Sequence, residues 1–134
     1  MKILLAIDDS KFSETATQAI IQQMRPDNTE VCVLHAVQLT LPNESLKQGK
    51  QLVVRTEQVL NKAGFKATTA VVEGDPRAAV IDYAAHWNAD VIVVGSHGRT
   101  GLQRFLMGSV AESIARHTHC SIEIVRPSAC GSQG

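Results

Sequence analysis

The sequence predicts an open, doubly wound α/β fold, a parallel sheet with helices on both faces, and three observations lead to that expectation. Short β-branched runs recur five times, at residues 3–7, 31–37, 67–72, 91–94 and 122–125. The intervals between them show helical apolar spacing or are long enough for a crossover, giving the order βαβαβαβαβ. Within the runs the apolar character hardly alternates, as in VIVV at 91–94, which suits strands buried on both sides and joined by right-handed parallel crossovers. A chain of 134 residues is the usual size of one domain and buries about two-thirds of its unfolded surface, so a single body suffices.

The elements follow in order. The first strand stops at Asp8 and Asp9, and its apolar run is too short for a signal peptide and far too short for a membrane helix, so a cytoplasmic protein with no membrane contact is expected. Phe12, Ala16, Ala19, Ile20 and Met24 share one face of a first helix that Pro26 ends. After the second strand, Leu46, Leu52, Val53, Thr56, Val59, Leu60 and Ala63 repeat at helical spacing, and Gly64 stands where a left-handed C-terminal residue is wanted. Asp75 followed by Pro76 places an N-cap before a proline at the first helical position, and Val80, Ile81, Ala84, Ala85 and Trp87 supply the buried side of the third helix. Ser109 with Glu112 forms a capping-box pattern, which predicts a fourth helix from Val110 to about His117. The domain is read as 1–126, with PSACGSQG at 127–134 as a flexible tail.

Composition narrows the function. Thirteen basic residues balance thirteen acidic ones, so the overall charge expected of a nucleic-acid binder is missing and no nucleic-acid partner is expected. Cys32, Cys120 and Cys130 are odd in number and show no CxxC spacing, which argues against a disulfide framework; they read as two structural thiols and one tail thiol.

In open α/β sheets ligands bind beyond the carboxyl ends of the strands, where the strand order reverses. Those ends offer Asp8 and Asp9, then His35 and Ala36, then Glu73, Gly74 and Asp75, and finally Gly95, Ser96, His97 and Gly98. The last opens a segment, GSHGRTGLQRFLMGS, with the parts of a phosphate cradle. Glycine lets backbone approach an anion, and the first free N–H groups of a helix attract negative charge. A Walker GxxxxGK[ST] loop is absent, and no GxGxxG follows the first strand, so the cradle is of another kind.

Gly95-x2-Gly98-x9-Gly108-Ser109 resembles the nucleotide-binding signature G-x2-G-x9-G-(S/T) of universal stress proteins, with every fixed position filled. KILLAIDDSKFSETA at 2–16 is similar to that family's opening strand and helix, VLHAV at 33–37 to its second strand, and GDPRAAVIDYA at 74–84 to its third helix. ADVIVVGSHGRTG at 89–101 resembles the fourth strand and loop, and SIEIVR at 121–126 the closing strand. The resemblance implies a Rossmann-like sheet of order 3-2-1-4-5 and a site for ATP, with or without Mg²⁺. It places Asp8 against the ribose hydroxyls or the adenine edge, and Ala6, Ile7 and Ala36 along the adenine. Gly95 would let the nucleotide lie close, while Gly98, Gly108, Ser109 and the Val110 backbone would hold the phosphates. The implied function is a nucleotide-dependent stress-response sensor or switch that signals to a protein partner of unknown identity, with homodimerisation through 121–126. Many members carry Asp-Gly-Ser after the first strand where this chain has Asp8-Asp9-Ser10, and Asp9 reads as assisting Mg²⁺, as slightly repelling phosphate, or as a solvated residue at the helix start.

Blander and rival readings attach to several positions. His97 and Arg99 are carried as phosphate contacts, beside the ordinary alternative that residues of a surface loop face water. His117, His119 and Cys120 match no zinc spacing and suit the negative end of a helix. A phosphoacceptor receiver would need an aspartate ending the third strand and a lysine ending the fifth, where this chain has Glu73-Gly74 and Arg126. No nucleophile–base pair stands out, so no catalytic residue is assigned. The alternatives are a weak ATPase or phosphotransfer enzyme using the same pocket, and a dimerisation module whose pocket is vestigial.

Overall fold

The computed structural model describes residues 1–42, 44–97 and 108–127. Its elements are Lys2–Ala6 (β1), Lys11–Gln23 (α1), a 3₁₀ turn at Pro26–Asn28, Glu30–Val37 (β2), Leu46–Lys62 (α2), Lys66–Glu73 (β3), Pro76–Trp87 (α3), Val91–Gly95 (β4), Ser109–His117 (α4) and Ser121–Val125 (β5). All five strands run parallel in the order β3-β2-β1-β4-β5. The chain builds outward from β1 through β2 to β3, then crosses back to place β4 on the free side of β1. Reversing the direction of winding puts α1 and α2 on one face and α3 and α4 on the other.

Two apolar layers follow from the alternation of side chains along each strand. Ile3, Leu5, Ile7, Val31 and Val33 meet Ala16 and Ile20 of α1 and Val53 and Leu60 of α2. Leu4, Leu34, Ile92 and Val94 meet Val80 and Ala84 of α3 and Ala111 and Ile114 of α4. Cys32 lies in this second layer as a free, buried thiol, and Cys120 is also free and half-buried.

The helix ends carry the punctuation expected of them, with one correction. Ser45 caps α2, its Oγ accepting from Gln48 N–H at 3.1 Å, and Gly64 beyond its end has φ +94°. Asp75 caps α3, its Oδ1 accepting from Arg77 N–H at 2.9 Å, and the Arg77 side chain beside it lowers the carboxyl pKa. The fourth helix begins one residue earlier than the capping-box pattern predicts. Gly108 is the N-cap and Ser109 the first helical residue, because Gly108 N–H donates to Ser96 O at 2.6 Å and is tied to the sheet. Among the described residues no helix is long and apolar enough to cross a membrane.

Candidate functional site

The strand order reverses between β1 and β4, which are paired in register from Ile3↔Val91 to Ala6↔Val94. Ser96, just beyond β4, is 1% exposed; its N–H donates to Val125 O at 2.8 Å, and its carbonyl accepts from Gly108. Both ends of the glycine-rich segment are therefore fastened at one point of the sheet edge, and α4 starts there. Because Gly108 has no side chain to cap the helix, the N–H groups of Ser109, Val110 and Ala111 find no acceptor among the described residues. Three donors without an acceptor among the described residues, at the positive end of a helix, are the arrangement to which negative charge is attracted.

Asp8 lies at the same edge, half-buried beyond β1. Its N–H donates to Ser13 Oγ at 2.8 Å, and the Ser13 hydroxyl donates back to Asp8 Oδ1 at 3.0 Å. Ser10 N–H donates to the same oxygen at 2.9 Å, an Asx turn that leads the chain into α1. Ser13 reaches back because it sits at the third helical position, where side chains return to the groups preceding the helix. Oδ1 thus has two donors, while Oδ2 has none among the described residues. One oxygen fixes the carboxylate, and the other accepts from no described residue.

The sequence profile of the universal stress protein family matches residues 1–126. The chain belongs to the universal stress protein family. Universal stress protein MJ0531 of Methanocaldococcus jannaschii is 30% identical over 138 residues, covering 93% of this chain and 81% of the relative. The solved structure of MJ0577, a universal stress protein from the same organism, superposes with a TM-score of 0.85 at 26% identity, covering 95% of this chain and 96% of the other. The fold is shared by a universal stress protein in complex with cAMP (24% identity, TM-score 0.74, covering 96% and 98% of the two chains). It is shared also by one from Arabidopsis thaliana with AMP bound (17%, 0.75, 96% and 93%) and one from Archaeoglobus fulgidus in complex with dAMP (21%, 0.75, 93% and 97%).

In this universal stress protein the remaining positions singled out by sequence meet different surroundings. Ala6 and Ala36 are half-buried on neighbouring strands and on the same sheet face, since Ala6 packs on the second layer and Ala36 stands two residues beyond Leu34 of that layer. Ile7 brings only its backbone to the edge, because its side chain belongs to the first layer on the opposite face. Gly95 is a glycine for a reason independent of any ligand: a Cβ there would lie 2.7 Å from Phe12 Cβ and from Phe12 O in α1. His97 is half-buried, its ring centroid 5.3 Å from that of Phe12 and its Nδ1 3.1 Å from Ser96 Oγ. Gly98 and Arg99 lie outside the described residues.

Sequence reasoning missed Ser13 and gave His35 no role. Ser13 looks like any small polar residue of an amphipathic helix, whereas His35, a lone polar residue inside EVCVLHAV, was a visible signal. Asp8 and Ser13 also help to line a concavity of about 300 Å³ between α1 and α2, together with Asp9, Ser10, Glu14 and Arg55 among others, and the buried Ser10 Oγ there has no partner among the described residues. Among the described residues, no group of three His, Cys, Asp or Glu side chains could hold a metal ion.

Proposed function

We propose that this universal stress protein binds an adenine nucleotide, ATP above all, across the sheet edge between β1 and the start of α4. In this reading nucleotide occupancy is the signal that a cytoplasmic stress-response switch passes to a protein partner. The observation that carries the reading is the half-committed Asp8 carboxylate, at the same strand-order reversal as the three uncapped N–H groups of α4. A ribose diol donates hydroxyls and a phosphate accepts N–H groups, so the two parts of the edge match the two ends of a nucleotide. Ala6, Ala36 and the Ile7 backbone line the adenine in this reading. Gly108, Ser109 and Val110 hold the phosphates, joined by His97, Gly98 and Arg99 of the loop, with or without Mg²⁺, which would come bound to the phosphates. The cAMP, AMP and dAMP complexes of proteins with this fold support an adenine ligand. The protein also pairs with a second copy through β5.

The test is mass spectrometry of nucleotide released from purified protein, together with calorimetry of the emptied wild type and Asp8→Asn with Mg-ATP. Asparagine keeps an acceptor for Ser10 N–H and Ser13 but replaces the open acceptor with a donor. Losing a hydrogen bond to a charged group weakens ATP binding by about tenfold to a hundredfold. A folded wild type that takes up none of ATP, ADP, AMP or cAMP overturns the reading.

A further inference from the structure

His35 is 6% exposed in the middle of an apolar strand, and a buried ring nitrogen needs a partner. Its Nδ1 lies 2.8 Å from Ile7 O. A carbonyl only accepts, so the proton resides on Nδ1. Ile7 is the first residue past β1; its N–H still follows the ladder, donating to Leu34 O at 2.9 Å, while its carbonyl depends on the histidine. The other end of the same peptide unit is Asp8 N–H, which donates to Ser13 Oγ at 2.8 Å. The Ile7–Asp8 peptide plane is thus gripped on its oxygen by a side chain from β2 and on its nitrogen by one from α1. A peptide unit is rigid, so holding both of its ends fixes the direction in which the next residue leaves.

The ring itself is wedged. Gly49 of α2 lies over it: a Cβ on Gly49 would stand 3.1 Å from His35 Cδ2, 3.0 Å from Val37 Cγ2 and 3.2 Å from Val71 Cγ1. These separations are tighter than ordinary contact, so the first turn of α2 settles on the imidazole only because residue 49 has no side chain.

We propose that His35, opposed by Ser13, is a positioning residue of the nucleotide site: it clamps the Ile7–Asp8 peptide and thereby aims the open oxygen of Asp8. The proposal rests on the reading that this edge binds an adenine nucleotide. Without the Nδ1–H bond the Ile7 carbonyl is a buried acceptor with no partner among the described residues, the peptide turns to find one, and Asp8 turns with it. In His35→Asn the new side chain can place an amide N–H near the Nδ1 position, whereas in His35→Gln it places the amide near Nε2, one bond further out. The two variants therefore separate the clamp from mere polarity or volume.

The experiment is calorimetry with Mg-ATP and with AMP on wild type, His35→Asn, His35→Gln and Gly49→Ala, alongside thermal melting of each without nucleotide. His35→Asn should retain nearly wild-type affinity, and His35→Gln should lose at least about tenfold. Gly49→Ala should weaken binding in the same sense by pushing on the ring. A folded His35→Gln that binds as wild type does, or a folded His35→Asn that binds as weakly as His35→Gln, overturns the clamp while leaving the nucleotide reading intact. A wild type that binds neither nucleotide overturns both. Should the variants not fold, nitrogen-15 NMR of the wild-type imidazole decides: an Nδ1–H tautomer with coupling across to Ile7 is expected, and an Nε2–H tautomer overturns the proposal.

Discussion

Tyr83 is the single tyrosine of the chain and half-buried on α3, where its hydroxyl receives the Cys32 thiol at 3.6 Å. Burial disfavours the phenolate, and together with the Cys32 hydrogen bond it pushes the hydroxyl up to about 12, from an ordinary value of about 10. Burial likewise raises the Cys32 thiol. An acid whose folded value is raised stabilises the fold fully below its unfolded value and loses that contribution as pH climbs through the folded one. Stability should therefore decline between about pH 10 and about pH 12, a decline that Tyr83→Phe should reduce. With one tyrosine present, near-ultraviolet absorbance reads the group directly. A native midpoint about two units above the denatured one is expected, and coincident midpoints would show that burial on α3 does not act on this hydroxyl.

At the scale of elements, the packing of α1 on β4 turns on Gly95, whose missing side chain makes room for the Phe12 backbone and Cβ. Gly95→Ala drives a methyl to within 2.7 Å of those atoms, and such overpacking costs about 1–3 kcal/mol, measurable as a lower urea midpoint with an unchanged slope. An unshifted midpoint would mean that α1 can slide off β4 without cost. The variant is also a poor probe of ligand approach, because lost affinity would follow from the displaced helix alone. Elements of this kind were legible wherever a local residue punctuates them: Pro26 after α1, Gly64 after α2, and Asp75 with Pro76 at α3. The start of α4 was off by one because Ser109 and Glu112 satisfy a local rule, while the deciding contact, Gly108 to Ser96, links a helix to a strand end. The candidate site divides in the same way. Asp8 could be found as an acid closing a strand, but its supports, Ser13 and His35, depend on the phase of α1 and the β1–β2 register, which no local pattern reveals.

For the molecule as a whole, the two outer edges of the sheet are where a second copy would pair. An exposed edge is a template for pairing, and charge on the edge blunts it. β3 exposes Lys66, Thr68, Thr69 and Glu73, and both its end residues are charged. β5 has Ile122, Ile124 and Val125 half-buried, with Glu123 the one charge in SIEIV. Pairing with a second copy through β5 would bury this apolar edge and satisfy its backbone groups, and a two-fold arrangement would close the assembly at two chains rather than propagate it. Sedimentation velocity across a dilution series should then show a dimer. Val125→Lys should shift that equilibrium toward monomer with the helical circular dichroism retained, while Thr68→Lys, on the edge already carrying charge, should leave it in place. A wild type sedimenting as a monomer at every concentration would remove β5 as an interface. The half-buried isoleucines would then be explained by their packing on the α3–α4 layer alone, and any signal from nucleotide binding would have to leave through another surface of the single chain.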